Sequence, residues 1–195
     1  AGLHHPISRS LLGIAQQALP NRLDIKAGSI SIRYPADWSS PPRRFANMDE
    51  LVNVPAEKQD AVEVTARIQI TVVARMDHAE AIRELREIAS ENTTRPTFAT
   101  IGGWPALQRR HLGLREQPGE GPQFADKMVL TITTAVAAGN LLVRLEASLP
   151  SAASRTLITQ VEAIERSIAF ATQGNPPRTN REILELRRRA VPTTG

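Results

Sequence analysis

The chain has 195 residues, of which 41% are hydrophobic and 23% are charged, a balance typical of a globular protein. It contains no cysteine, which excludes disulfides, cysteine-ligated metals and thiol nucleophiles. The net charge of +4 lies at the two ends: residues 1–25 carry +1, residues 175–195 carry +3, and residues 26–174 hold 17 basic and 17 acidic side chains. A neutral body argues against a nucleic-acid-binding domain, which needs a basic surface to neutralise phosphates.

The start of the sequence favours an exported protein. No apolar run approaches the roughly 18–20 residues of a membrane span, and the small residues Ala1 and Gly2 suit the position that follows a signal-peptidase cut. A mature lipoprotein would instead begin with a lipidated cysteine. We therefore expect an extracytoplasmic location, in the periplasm or on a membrane surface, with a cytoplasmic location as the alternative.

An N-terminal arm, residues 1–27, is predicted to carry a short amphipathic helix at residues 8–19, which ends at Pro20. Apolar side chains recur in this helix at helical spacing: Leu11, Leu12, Ile14, Ala15, Ala18 and Leu19. Because about twelve residues are too few for a helix that is stable alone in water, this one must dock on its own body, on a partner or on a membrane surface.

The body, residues 28–170, is predicted to begin with a strand that starts at Gly28 and stops at Pro35, and to continue through a Pro-rich stretch that holds one short strand at 51–54. Residues 61–74 form the clearest predicted strand, because apolar and polar side chains alternate along it. Such alternation favours an antiparallel sheet with one buried face and one wetter face.

The later elements of the body complete an α+β domain. In chain order they are a helix at 78–91, strands at 97–101 and 104–112, a hairpin that turns at Gly139-Asn140, and a helix after Pro150. Five or six hairpin-linked strands with these two helices make an antiparallel sheet sandwiched by helices. The predicted core is Ile30, Ile32, Val64, Ile68, Ile70, Leu130, Ile132, Val143, Leu145, Leu157, Val161 and Ile164.

A C-terminal arm, residues 171–195, follows the body through a Pro-rich hinge. Thr179 and Glu182 form a capping box for a short helix that ends near Ala190. Apolar and basic side chains adjoin on this helix: Ile183, Leu184, Leu186, Arg187, Arg188 and Arg189. Since arginines pair well with carboxylates and lipid phosphates, we expect both arms to dock on a partner, with docking on the body as the alternative.

Three stretches resemble the Mog1/PsbP-like domain family. The strand that runs into Tyr34-Pro35-Ala36-Asp37-Trp38 is similar to the family's opening strand, Ile101-Gly102-Gly103-Trp104-Pro105-Ala106 to the glycine turn before its middle strands, and residues 163–170 to the end of its last helix. The order of elements agrees over about residues 28–170. The resemblance implies an α/β/α sandwich that binds proteins rather than one that catalyses, as in photosystem extrinsic subunits, a nuclear-transport factor, envelope lipoproteins and chaperones of type VI secretion effectors.

Candidate catalytic and metal-binding residues all have structural interpretations. His4 and His5 are adjacent near an end, His111 follows two arginines on a predicted strand, and a helix-capping box explains Asp77 and Glu80. The sequence has no nucleophile elbow and no phosphate-binding loop. We therefore predict no catalytic, metal-binding or cofactor-binding residues.

These observations predict a non-catalytic accessory subunit that binds protein subunits of a larger, membrane-associated assembly through its arms, with an anionic membrane surface as a further partner of the C-terminal arm and no nucleic acid. The first alternative is a chaperone or adaptor like those of type VI secretion effectors, with an apolar helix held on the open face of the sheet. The second is a small-ligand binder or enzyme with a pocket near Trp104. Against this second alternative, we favour a turn at Gly102-Gly103 with Trp104 packed in the core.

Overall fold

The computed structural model describes residues 19–25, 29–43, 45–59, 63–74, 77–90, 96–114 and 128–171, which contain nine strands, two α-helices and a short 3-10 helix at Ala56–Lys58. The strands and α-helices are labelled below. In chain order these elements are β1 (Asn21–Ile25), β2 (Ile30–Tyr34), β3 (Met48–Val52), β4 (Arg67–Ala74), α1 (His78–Ser90), β5 (Thr97–Ile101), β6 (Trp104–Leu114), β7 (Met128–Ala138), β8 (Leu141–Pro150), α2 (Arg155–Arg166) and β9 (Ala169–Phe170).

The strands form two antiparallel sheets. A six-stranded sheet has the order β3-β4-β8-β7-β6-β5, and a three-stranded sheet, called the small sheet below, has the order β1-β2-β9. α1 packs on one face of the six-stranded sheet, while α2 and the small sheet pack on the other. The predicted α+β fold, in which helices sandwich an antiparallel sheet, is confirmed.

The face of the six-stranded sheet toward α2 carries the larger hydrophobic core. Nine of the twelve predicted core residues are fully buried there: Ile30, Ile32, Ile68, Ile70, Ile132, Val143, Leu145, Val161 and Ile164. Leu130 and Leu157 are partly buried against this core. Val64 is half-buried and lies outside it, before the start of β4.

A second core lies between the other face of the sheet and α1. Its members come from α1 and from the four strands beneath it: Ala81, Ile82, Leu85, Ile88, Phe98, Leu107, Ala135, Ala137 and Leu142. The two sheet alanines are small, so the larger leucine and isoleucine side chains of the helix fit above them. Among the described helices, none has the length and hydrophobicity that crossing a membrane requires.

The small sheet was not predicted in full. Residues 21–25, which the sequence assigned to the N-terminal arm, form β1 and pair with β2 from Asn21–Tyr34 to Ile25–Ile30. β9 is also new, and pairs with β2 over two residues only. Ile25 is buried in the larger core, called the main core below. This pairing therefore adds to that core an apolar side chain that the sequence analysis had placed in the N-terminal arm.

The predicted limits of β3 and β4 also shift. β3 begins and ends earlier than predicted, and β4 begins at Arg67 rather than at residue 61. The cause is Asn53, whose side-chain oxygen accepts hydrogen bonds from the backbone N–H groups of Thr65 (3.1 Å) and Ala66 (2.7 Å). Since a side chain occupies these two donors, the regular ladder starts only at Arg67.

We expect the two faces of β4 to respond very differently to truncation. Ile70→Ala should lower the free energy of unfolding by about 2–5 kcal/mol, because Ile70 is fully buried in the main core. Val73→Ala on the same strand is the matched control and should cost less than about 1 kcal/mol, because Val73 is 44% exposed. Chemical denaturation measures both, and equal losses would show that the inward face is misassigned.

Candidate functional site

A buried carboxylate lies where α2 crosses the centre of the six-stranded sheet. α2 begins at its N-cap Ser154, whose hydroxyl oxygen accepts from the N–H of Leu157 (3.2 Å). Its inner side buries Val161 and Ile164 and, beside them, Glu165, which is only 1% exposed. Residues four apart share a helix face, so the position of Glu165 relative to Val161 is the sequence signal that could have revealed it.

The sheet offers Glu165 two neutral partners. Gln108 of β6 and Thr134 of β7 are directly paired across the strands and face α2. The Nε2 group of Gln108 donates a hydrogen bond to Oε2 of Glu165 (2.7 Å). Oε1 of Glu165 is buried and has no hydrogen-bond partner among the described residues. The carboxyl group is therefore only half satisfied by its surroundings.

The nearest cation is engaged elsewhere. Arg110 of β6 forms an ion pair with Glu162, one helical turn before Glu165, and Arg166 also approaches Glu162 (Nη2 to Oε2, 3.6 Å). The pKa of the Glu165 carboxyl is raised to about 7, mainly by burial and in smaller part by the charge of Glu162, while Thr134, Gln108 and Arg110 oppose the rise. Glu165 thus exchanges a proton near neutral pH, but its burial separates it from any substrate.

α2 is also tied to β2 and to the chain just after it. Near the middle of the helix, the Nε1 group of Trp38 lies 3.4 Å from the side-chain oxygen of Gln160. At the C-terminal end, the hydroxyl oxygen of Ser167 accepts from the N–H of Arg33 (2.8 Å) and lies 3.0 Å from the Arg33 carbonyl oxygen. The position of α2 over the main sheet therefore sets the position of β2.

The small sheet is the attachment point of both terminal arms. Leu19, the one predicted partner-binding residue that the structure describes, is half-buried just before β1. The chain leaves the sheet again at Ala171, whose N–H donates to the carbonyl of Ser29 (3.0 Å). Since β1 begins beside Tyr34 and β9 ends beside Ile30, the two arms leave from opposite ends of β2, roughly 13 Å apart along the strand at about 3.3 Å per residue.

The remaining predicted partner-binding residues lie outside the described ranges. They are Leu11, Leu12, Ile14 and Ala15 of the N-terminal arm, and Ile183, Leu184, Leu186, Arg187, Arg188 and Arg189 of the C-terminal arm. Their docking stays a prediction.

The region around Trp104 is packed as a structural turn. Gly102 and Gly103 have φ angles of 57° and 83°, which favour glycine. A Cβ atom on Gly102 would lie 3.1 Å from the carbonyl oxygen of Ile168, so the turn also needs glycine for its close approach to the chain before β9. Trp104 is buried in the main core, and its ring centroid lies 6.0 Å from that of His78.

The sequence-based interpretation of Asp77 and Glu80 agrees with the structure. The N–H of Glu80 donates to Oδ1 of Asp77 (2.7 Å), and the N–H of Asp77 donates to Oε2 of Glu80 (3.0 Å). This reciprocal pair is a capping box at the start of α1. Within the described ranges, no group of three or more His, Cys, Asp or Glu side chains is arranged to hold a metal ion.

The part of the sheet that α1 leaves uncovered is polar. Its described side chains include Arg67, Gln69, Thr71, Thr131, Thr133, Arg144 and Glu146. Arg67 pairs with Glu50 of β3 (2.7 Å), and Arg144 with Glu146 (3.4 Å). A face of this composition suits a polar surface better than the apolar helix that the chaperone alternative requires.

Comparison with known proteins shows similarity in fold. No protein-family model matches the chain, and no curated protein matches it. Among solved structures, a protein from Bacteroides thetaiotaomicron has a TM-score of 0.59 and 13% identity over 81% of this chain, which spans 51% of that protein's length. LpqN, involved in cell envelope biogenesis of Mycobacterium tuberculosis, has a TM-score of 0.50 and 15% identity, with 83% of this chain and 96% of LpqN covered.

A third solved structure is the cyanobacterial PsbP of Synechocystis, with a TM-score of 0.47 and 10% identity over 77% of this chain and 92% of PsbP. The resemblance to Mog1/PsbP-like domains that the sequence indicated is confirmed as a resemblance of fold. At these identities the likeness concerns the fold alone, so function must be argued from the residues of this chain.

We expect Glu165→Gln to remove a pH dependence of stability. In the folded chain the pKa of Glu165 is about 7 against 4.5 ordinarily, so the folded state holds the extra proton. The stabilisation that this proton gives the folded state is complete below about pH 4.5. It is lost as the pH rises to about 7, which changes the free energy of unfolding by roughly 3 kcal/mol. The variant, which stays neutral and keeps the Gln108 hydrogen bond, should be more stable than the wild type at pH 8 by up to that amount.

Denaturation of both proteins at pH 5 and pH 8 measures this difference. Glu146→Gln, a change in a partly exposed carboxylate on the opposite face of the sheet, is the control. It should leave the difference in free energy of unfolding between the two pH values as in the wild type. If wild type and Glu165→Gln follow the same pH dependence, the carboxyl group is not ionising in this range.

Proposed function

We propose that this chain is a non-catalytic accessory subunit that binds other proteins of a larger, envelope-associated assembly outside the cytoplasm, and that its two terminal arms make the contacts. The observation that carries the proposal is the common base of the arms. Both join the small sheet, about 13 Å apart along β2 at the usual rise per residue. Two arms that start so close together can engage one partner at the same time, which strengthens binding without new contacts on the body.

The composition of the arms supports binding by burial of apolar surface and by charge. The predicted N-terminal helix presents Leu11, Leu12 and Ile14 on one stripe, and burial of one leucine or isoleucine contributes about 1.5–3 kcal/mol. Ordering the arm offsets part of this gain. The C-terminal helix adds three consecutive arginines from Arg187 to Arg189, which suit carboxylates of a protein or phosphates of an anionic membrane.

The neutral body supports a division between scaffold and contact elements. Residues 26–174 carry equal numbers of basic and acidic side chains, so long-range attraction to an anionic partner comes from the arms. Glu165, the described carboxyl with a strongly raised pKa, is closed to substrates by burial. The extracytoplasmic part of the proposal is supported by the shared fold with LpqN, a protein of cell envelope biogenesis.

We expect removal of the arms to abolish assembly without unfolding the body. The deletion should take residues 1–18 and 175–195, because a cut at residue 25 would remove β1 and the buried Ile25. In the native host, the full chain should run in a larger native complex, whereas the trimmed chain should run at its own mass with a nearly unchanged thermal midpoint. If the trimmed chain unfolds while the full chain is a monomer, the arms are the outer layer of the domain.

Charge reversal separates the arginine cluster from the general charge of the C-terminal arm. We expect Arg187→Glu, Arg188→Glu and Arg189→Glu together to weaken binding to anionic phosphatidylglycerol vesicles and to the native complex by tenfold or more, because at least three favourable pairings are lost. Arg178→Glu with Arg181→Glu, in the same arm, is the control and should have a smaller effect. Because the control reverses two charges and the first variant three, an equal loss per reversed charge in the two variants would mean that only net charge matters.

A further inference from the structure

We infer that Glu165 is a pH-sensitive switch that controls how tightly α2 holds the small sheet against the six-stranded sheet. The inference goes beyond the proposed function by naming a regulatory contact within the body, and only its consequence for docking rests on that proposal.

The first step is the geometry around the carboxyl group. Glu165 is 1% exposed, receives one hydrogen bond from Gln108, and has a second oxygen without a partner in the described part of the chain. The groups that face it are Gln108 and Arg110 from β6, Thr134 from β7, and Glu162 from α2 itself. Because Arg110 is ion-paired to Glu162, an ionised Glu165 would be a buried charge without a cation of its own, which strongly disfavours the closed position of α2.

The second step is the connection from α2 to the base of the arms. Two residues after Glu165, Ser167 holds Arg33 of β2 through its hydroxyl group. Two residues further, β9 adds to the edge of β2, and the C-terminal arm follows. A shift of α2 away from β6 and β7 therefore loosens the pairing of β2 with β9, which consists of only two residue pairs.

The consequence for docking follows from the sign of the titration. A protonated Glu165 keeps α2 closed and the small sheet firm, so arms based on that sheet start from a fixed geometry and bind with less loss of entropy. Ionisation of Glu165 loosens the small sheet from which the arms start. Docking is thus expected to be favoured below about pH 6 and weakened at pH 8.

Hydrogen exchange of the full free chain tests the switch without any partner. The probes are the N–H groups of Arg33 and Ala171, and the reference is the N–H groups of α1, such as Ala81, which donates to the Asp77 carbonyl. The measured quantity is the equilibrium constant for opening at the probe sites, taken as the ratio of wild type to Glu165→Gln. If opening exposes Glu165 to water, this ratio should rise about 10- to 30-fold between pH 5.5 and pH 8. The α1 reference should show no such rise.

Two results would overturn the inference: an unchanged ratio at the probe sites, or an equal rise in α1, which would mean that the whole domain opens together. Within the wild type, the ratio of probe to α1 exchange across pH gives the same answer if Glu165→Gln does not fold. Because no arm or partner enters the measurement, its failure is distinct from failure of the arm-deletion experiment. If exchange shifts as expected while the trimmed chain still assembles, the switch stands and the arm-docking proposal fails.

Discussion

The rest of the fold depends on one constraint, the burial of the central hairpin on both faces near its turn. From Thr134 to Ala138 and from Leu141 to Val143 every residue is buried. Consecutive buried residues on a strand require cover on both sides of the sheet. α1 supplies it on one face and α2 with the small sheet on the other. Where the alternation returns, at Arg144 and Glu146, the face on the α1 side carries polar side chains and α1 no longer covers it.

Glu165 departs from this logic, because it places an ionisable group inside a buried helix–sheet contact whose other polar members, Gln108 and Thr134, are neutral. A leucine or glutamine there would avoid the cost of a buried carboxyl group that is only partly satisfied. Places where a chain breaks a local rule without a structural gain are where function is expected. Its neighbours Glu162 and Arg110 pair with each other and leave Glu165 without an ion-pair partner, so we interpret the exception as regulatory.

Most of the fold was predictable from periodicity, and the misses have identifiable causes. The hairpin of β7 and β8 follows directly from alternation and a Gly-Asn turn, and α1 from its stripe and capping residues. α2 follows from its apolar stripe, but it begins at Arg155, later than the predicted start after Pro150, because Ser154 is its N-cap. β9 is two residues long, too short for any periodic signal. β1 alternates weakly and follows Pro20, so it was assigned to an arm. Glu165 was missed because a charged residue on a helix normally faces solvent, and only the face shared with Val161 and Ile164 argues otherwise.

The distribution of strand pairing explains why regulation would act through the small sheet rather than through the main one. β7 pairs with β6 over nine residues and with β8 over ten, and these three strands are covered by both cores, so they open only when the domain unfolds. β1 pairs with β2 over five residues and β9 with β2 over two. The small sheet keeps its place through Ile25, Ile30 and Ile32, which are buried in the main core. Two polar contacts add to this and link α2 to β2 and the chain after it, namely Ser167 with Arg33 and Gln160 with Trp38. A change in the charge of Glu165 under α2 therefore loosens the small sheet, from which both arms leave, before it affects the six-stranded sheet.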